Sequence, residues 1–519
     1  MKNINGSLIT KRVLVQQDTD RELAPAGRNG DFPERFDLLA VAALFAISRA
    51  LYGSLGLHFD ASPFDAYMQF IDRDLLSSRL LESIWYYHAN PPLLNLFAGA
   101  SYKLFGEHVS TWFAGLYHLL GLTLALCVYC LTRRLSNSRW ASLIAAGLLV
   151  FSPAFVLYEN WLMYTFPTVV LVTAASLLLH RYLTNYSAGW GFAFFTTLAT
   201  LLLLRSLFHL AWLLVMIALL VLVSPAKRKQ IGLVAALPVL LVVLWCAKNL
   251  YYFGTFGMST WFGLGFSNIT TLVVPRDELQ PLVRNGRLSQ FALVSRYQQI
   301  DQLFTVPASP TDVPVLDQVK KSTGGYNFNN LRVLTMNRYY TADGFTVVQE
   351  FPYYYLLGLQ LSNKLFFSPP SMNLYFSAQN RAAVRPMEKI FNPALYGAHR
   401  NPHWEPAPHF GFNSGSVLEV NFSAPLVVVS CLLLAYAYSQ MRGGLISKHR
   451  DRPRALVMGF ILCTALYIYV VGTAFELAEN YRYRYNVEPL MFVLAATAVT
   501  DAARRLRARF VGRSNNAAN

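Results

Sequence analysis

The chain has 519 residues, 54% of them hydrophobic and only 14% charged, with a net charge of +16 and a mean hydropathy of +0.33. Soluble domains carry about 25% charged residues, so this composition excludes an ordinary soluble domain and points to the bilayer as solvent. The basic excess does not imply nucleic acid, because Lys and Arg collect in short segments between apolar runs, as the positive-inside rule expects, and no nucleic-acid module is visible.

Taken in order, residues 1–35 are polar and basic and read as a cytoplasmic tail without a cleavable signal peptide. A first span covers Phe36 to Leu57. A loop rich in carboxylates occupies residues 58–111, and within it Pro91 to Phe105 is apolar but short, which suits an interfacial helix. Further spans are expected at Trp112–Leu131, Trp140–Leu157, Trp161–Leu179, Trp190–Leu204, Leu210–Val223 and Ile231–Ala247. Residues 248–423 contain no clear crossing and read as a small extracytoplasmic region, α or α+β. Spans at Ala424–Gln440, Ala455–Phe475 and Val487–Ala503 precede a basic tail over 504–519.

The expected fold is thus an all-α polytopic membrane protein of about ten transmembrane helices. Alternating sides from a cytoplasmic N-terminus place the basic clusters 133–139, 227–229, 442–454 and 504–513 together inside. The segment Tyr353 to Phe367 is apolar enough to reverse that order if it crosses; Lys364 favours leaving it outside the bilayer. The five cysteines all lie in apolar runs, and Cys127 with Cys130 inside LALCVYCL reads as packing rather than as a metal or redox motif.

Ionisable groups at membrane depth are costly, so each is a functional candidate. Four clusters fall on the face opposite the basic ones. In FDASPFDAYMQFIDRDLL, Asp60 lies nearest the end of the first span and is the leading general base, with Asp65 second and Asp72 third. Asp72 and Asp74 also suit helix capping. Glu159-Asn160 form an acidic turn that could orient a hydroxyl, bind a cation or pair with an arginine.

Arg205 and His209 are four apart, a spacing that places both on one helix face. A guanidinium offers phosphate a planar fork of donors, although Arg205 could equally snorkel to the interface. Arg482 and Arg484, in FELAENYRYRYNVEPL, share one face if that stretch is extended. They would then present phosphate-binding cations, or alternatively pair with Glu476, Glu479 and Glu488. His58, His88 and Lys248 complete the candidates lining a substrate or phosphate site. No Walker loop, HExxH or GxSxG motif occurs.

The early acidic loop FDASPFDAY, the downstream ANPPLLNLFAGASYKLFG, the RRLSNSR helix end, the SPAFVLYEN turn and the late NYRYRYNVEPL resemble the polytopic glycosyltransferases of the C superfamily. The nearest comparison is with bacterial relatives of protein O-mannosyltransferases and aminoarabinose transferases. That resemblance implies transfer of a sugar from a polyprenyl-phosphate donor to an extracytoplasmic acceptor, in a bacterial inner membrane. The family's catalytic aspartate maps onto Asp60, although an Asp-Glu pair in some members is Asp60-Ala61 here. No cofactor is required, and a divalent metal near Asp60 and Glu159 is compatible with the chemistry. The competing expectation is a transporter or flippase of a lipid-linked or anionic solute, which should carry polar residues mid-span and broken helices. A non-catalytic scaffold gives no reason for acids and arginines to converge from four loops.

Overall fold

In the computed structural model, residues 35–294, 309–397, 423–446 and 451–517 are described, without the side chains beyond 510. Contacts divide the chain into residues 1–40 and 41–519. The first unit contributes only the opening turns of helix α1 (Arg35–Ser54), and all the other elements belong to the second. Residues 1–34 of the expected tail 1–35, and residues 447–450 of the expected basic cluster, lie outside the described residues.

The described residues are helical, with two isolated β-bridges and no strand. The α+β alternative for 248–423 therefore gives way to helices in the described part. After α1 come α2 (Leu93–Phe105) and α3 (Val109–Ser136), joined by a single 3-10 turn, Gly106–His108. The stretch expected to be a separate interfacial helix thus runs almost directly into the next span. Next are α4 (Arg139–Val150), α5 (Pro153–Glu159), α6 (Thr165–Asn185), α7 (Ala188–Leu204), α8 (Leu210–Val223) and α9 (Arg228–Phe253).

The region beyond Lys248 supplies α10 (Phe262–Ile269), α11 (Leu331–Glu350), α12 (Pro352–Phe366) and α13 (Ala378–Tyr396). The chain closes with α14 (Ala424–Ile446), α15 (Arg452–Ala474), the short α16 (Asn480–Tyr485) and α17 (Glu488–Ala517). Among the described residues, six helices are long and apolar enough to cross a membrane, or seven if the bent pair α4–α5 is one crossing. Helices α7 and α8 are apolar but have only 17 and 14 residues, and a full crossing takes roughly 20. This is an integral membrane protein.

One helix break positions the loops around the site. The expected span Trp140–Leu157 bends by 60° between α4 and α5. Pro153 has no N–H and disfavours helical geometry at the residue before it; Ser152 is accordingly extended, at φ −63° and ψ 129°. Carbonyls freed at such a break need partners where water is absent. Helix α1 provides them: Ser48 Oγ and Arg49 Nη1 donate to Val150 O at 2.6 and 3.1 Å, and Tyr52 Oη donates to Phe151 O at 2.7 Å.

Candidate active site

The loop after α1 is fastened to the segment after α5 by a short parallel bridge. Asp60 N donates to Asn160 O at 2.9 Å, and Leu162 N donates to Asp60 O at 3.0 Å. This fixes the Asp60 backbone while its half-buried side chain makes an Asx turn, one carboxylate oxygen accepting from Ser62 N at 3.0 Å. Asn160 itself is buried and spends its amide on Val156 O, 2.9 Å away. Its contribution to Asp60 is therefore through the main chain.

Tyr67, one short helical turn further on, connects Asp60 to the far end of the chain. Its hydroxyl lies within electrostatic reach of Asp60, Glu479 and Arg482, with the Trp161 indole N–H turned toward it. It donates to Tyr375 O at 3.2 Å. Burial pushes its pKa up to about 12, so it stays protonated at neutral pH.

Behind this wall two arginines meet. Arg205 ends α7 and is 2% exposed; Arg482 is on α16 and 4% exposed. Their guanidinium carbons lie 5.1 and 5.5 Å from the ring centre of the same residue, Tyr164. Arg205 donates to Asn486 Oδ1 at 2.6 Å and also sits over Tyr483. Arg482 donates to the Tyr164 hydroxyl at 3.2 Å and forms an ion pair with Glu479, one turn before it. Burial, and then the nearby Arg482, lower the pKa of Arg205.

Glu479 thus acts on both buried cations, and Glu476 faces Tyr483, over which Arg205 sits. Several donors here also lack a partner: Arg205 Nη2, Arg482 Nε and the hydroxyl of Tyr158; the Tyr485 hydroxyl, also without a partner, lies in the field of Glu488 and Glu159. Tyr158 stacks on Tyr485 with ring centres 4.0 Å apart and lies in the electrostatic field of Arg482. Buried charge without compensation is strongly unfavourable, and buried donors normally find acceptors. The arrangement is suited to an anion with several oxygens.

Two geometric premises drawn from the sequence need correction. Arg205 and His209 are not on one helix face, because α7 stops at Leu204 and residues 205–209 form a turn before α8. His209 stabilises that turn: its ring Nδ1 is 2.7 Å from the Tyr467 hydroxyl, which donates to Leu207 O at 2.8 Å. Nor is YRYRY extended. It is the helix α16, in which residues two apart point in widely different directions.

Arg484 therefore diverges from Arg482. It pairs with Glu488 at 3.0 Å, donates to Ser368 O at 3.3 Å and sits over Tyr396, whose hydroxyl donates to Glu488 at 2.5 Å. This balanced pair closes one end of an apolar groove of about 410 Å3 lined by Phe366, Leu426, Leu434, Tyr469, Met491 and Phe492 among others.

The other candidates occupy separate positions. Glu159, fully buried, is held by Arg49 at 2.5 Å and His118 at 2.9 Å. Gly121 on α3 makes room for it, since a Cβ there would lie 2.5 Å from its carboxylate oxygen. Asp65 pairs with Arg73 at 3.0 Å. Asp72 caps the helix Arg73–Ser78 and accepts from Ser322 N and Oγ, each at 2.7 Å.

His88 is wholly buried between Thr260 Oγ1 at 2.8 Å and Asn329 O at 3.0 Å, and burial lowers its pKa to about 3. Lys248 donates to Trp85 O and Tyr87 O at 3.0 and 2.9 Å. His58 is exposed, its main chain clasped by Asn380. Among the described residues, no three or more His, Cys, Asp or Glu side chains are grouped to hold a metal ion.

Thus the Tyr67 hydroxyl is faced by both Asp60 and Arg482, Arg205 lies beside Arg482, and Arg484, Glu159, His88 and Lys248 make the separate contacts described above. Sequence reasoning missed Tyr67, Tyr164 and Asn486. The Glu479–Arg482 spacing of three is that of a helical pair, a signal that the extended reading of the stretch hides.

No protein-family model matches the chain, and no curated protein matches it. Two crystal structures of ArnT from Cupriavidus metallidurans are similar to it. The structure bound to undecaprenyl phosphate is 13% identical, with 90% of this chain and 77% of that chain covered and a TM-score of 0.33. The apo structure is 14% identical, with 86% and 77% covered and a TM-score of 0.30. A likeness this loose carries no argument about chemistry.

Proposed function

We propose that the protein is a membrane glycosyltransferase that moves a sugar from a polyprenyl-phosphate donor to an acceptor outside the cytoplasm. The observation that carries this reading is the pair of buried arginines on the Tyr164 ring, one of them facing the same Tyr67 hydroxyl as Asp60. The resemblance of the acidic loop and the late aromatic-arginine turn to the C-superfamily enzymes supports it independently.

In this scheme the donor's phosphate lies against Arg205 and Arg482, with the Tyr158 hydroxyl as a further donor. Asp60 accepts the proton of the acceptor hydroxyl as that oxygen bonds to the sugar's anomeric carbon. The bond from that carbon to the phosphate oxygen breaks, and its electron pair leaves with the lipid phosphate. The two guanidinium groups stabilise the charge that develops there. No step requires a metal. The apolar groove beside Arg484 would accommodate part of the prenyl chain.

The scheme places the site on the outer face of a bacterial inner membrane, both termini in the cytoplasm and about ten crossings, counting α7, α8 and α17 with the longer helices. The α4–α5 break favours the second reading, a transporter of a lipid-linked solute. Asp60→Asn in proteoliposomes supplied with labelled polyprenyl-phosphate sugars separates the two. A transferase loses product formation while still binding the lipid; full turnover in the variant removes Asp60 from the mechanism. Movement of the donor across the bilayer without a covalent product would favour transport.

A further inference from the structure

A hairpin more than 250 residues downstream in sequence grips the Asp60 loop. Residues 319–327 fold back on themselves: Lys321 N donates to Gly325 O at 2.7 Å, Asn327 N donates to Val319 O at 2.9 Å, and Gly324 turns at φ +85°. The tip, Ser322 to Gly324, is exposed, whereas Lys321 beside it is buried at 5% exposure. A lysine is rarely buried without a specific partner. Here its ammonium donates at 2.7 Å to the carbonyl of Tyr67, the residue whose hydroxyl faces Asp60, Glu479 and Arg482.

Two more contacts fix the same grip. Ser322 bonds Asp72 through both its N–H and its hydroxyl, and Thr323 Oγ1 donates to Asp65 O at 3.1 Å. The groups facing the ammonium are Asp72 and Asp65, the latter already paired with Arg73.

We propose that the 319–327 hairpin is a latch on the catalytic loop, with Lys321 as the positioning residue that holds Tyr67 against the reacting groups. The proposal rests on the assignment of Asp60 to the chemistry. It gives the third acid of the loop a role, since Asp72 receives the hairpin through its carboxylate; Asp65 contributes its main-chain carbonyl, its carboxylate being paired with Arg73. It also couples the outer segment to the reaction, because whatever moves the exposed tip moves Tyr67. Burial lowers the pKa of Lys321 to about 8, so the grip weakens as the ammonium loses its proton above that pH.

The test uses the full chain in proteoliposomes with polyprenyl-phosphate sugars, together with deuterium uptake over residues 60–72. Lys321→Met should lower kcat on the order of tenfold to a hundredfold, the scale of a small misplacement near the reacting atoms. The donor KM should stay unchanged, because the phosphate is held by Arg205 and Arg482. Uptake over 60–72 should rise, and the inflection of the wild-type rate near pH 8 should vanish. Lys321→Arg should restore most of the rate.

Wild-type kcat and uptake in the methionine variant would overturn the latch; so would a parallel loss of kcat and donor binding with uptake raised across the whole protein. Should that variant fail to fold, Ser322→Ala decides: kcat reduced with uptake raised only over 60–72 supports the latch, and no change in either rejects it. If the wild type transfers no sugar, the glycosyltransferase reading fails, and uptake alone judges the latch.

Discussion

Two buried arginine sites lie on either side of the short helix α16, and their charges are balanced differently. Arg484 faces Glu488 and donates to Ser368 O, while the Tyr396 hydroxyl donates to Glu488. Arg482 must share Glu479 with the field of Arg205; unpartnered guanidinium nitrogens occur at both sites, Arg205 Nη2 and Arg482 Nε at one and Arg484 Nε at the other, so the contrast lies in the count of charges. The Arg49–Glu159 pair, with His118 at its edge, resembles the first arrangement. Balanced sites complete the fold. The unbalanced one retains a positive charge whose natural complement is a ligand.

That contrast is easiest to break by removing single charges. Arg205→Gln and Arg482→Gln should each lower kcat/KM for donor by about a hundredfold to a thousandfold, as loss of one charge-stabilising donor typically does. The double variant Arg484→Gln, Glu488→Gln should alter donor kinetics far less. Similar losses in all of these would erase the distinction between the two sites.

Stability should separate the sites in the opposite sense. Arg49→Met strands Glu159 and should cost about 3–5 kcal/mol, the usual penalty for breaking a buried pair; a denaturation midpoint in detergent measures it. Glu479→Gln leaves two cations without their shared carboxylate. The variant should be destabilised without ligand and recover more than the wild type does when polyprenyl phosphate is added, because binding stabilises by mass action. Equal recovery in both proteins would show that the lipid does not compensate those arginines.

A smaller effect comes from His88, whose folded pKa of about 3 lies below its ordinary 6.5. A depressed folded pKa means that its contribution to stability is complete above about pH 6.5 and is lost as the pH falls toward 3. His88→Asn should flatten the acid limb of a melting-temperature profile. Smallest is Gly121→Ala, which crowds Glu159 and should cost about 1–3 kcal/mol, with transfer by the surviving folded protein unchanged.

The membrane character and most helices were legible because apolar run length carries them directly. The α4–α5 break was written in Ser152-Pro153, but its tolerance depends on Ser48, Arg49 and Tyr52 from α1. Glu159 was ambiguous for the same reason: its partner Arg49 sits inside an apolar run a hundred residues earlier and gives no local signal. Convergence of Arg205 and Arg482 could be suspected because the expected topology puts both opposite the basic clusters. Their divergence from Arg484 could not, because a five-residue alternation of tyrosine and arginine fits a strand as well as a helix. Tyr67 has no local signal either, since its role depends on Lys321 and Tyr375 from distant segments.

The most direct test of the central claim is binding of a polyprenyl phosphate to the purified protein, measured for the wild type, Arg205→Gln, Arg482→Gln and Arg484→Gln. The unbalanced charge predicts saturable binding that weakens by tenfold or more, about 1.4 kcal/mol or above, in the first two variants and stays close to wild type in the third. Binding that survives loss of Arg205 and Arg482 but disappears with Arg484 would contradict the account and move the phosphate to the groove on the other side of α16.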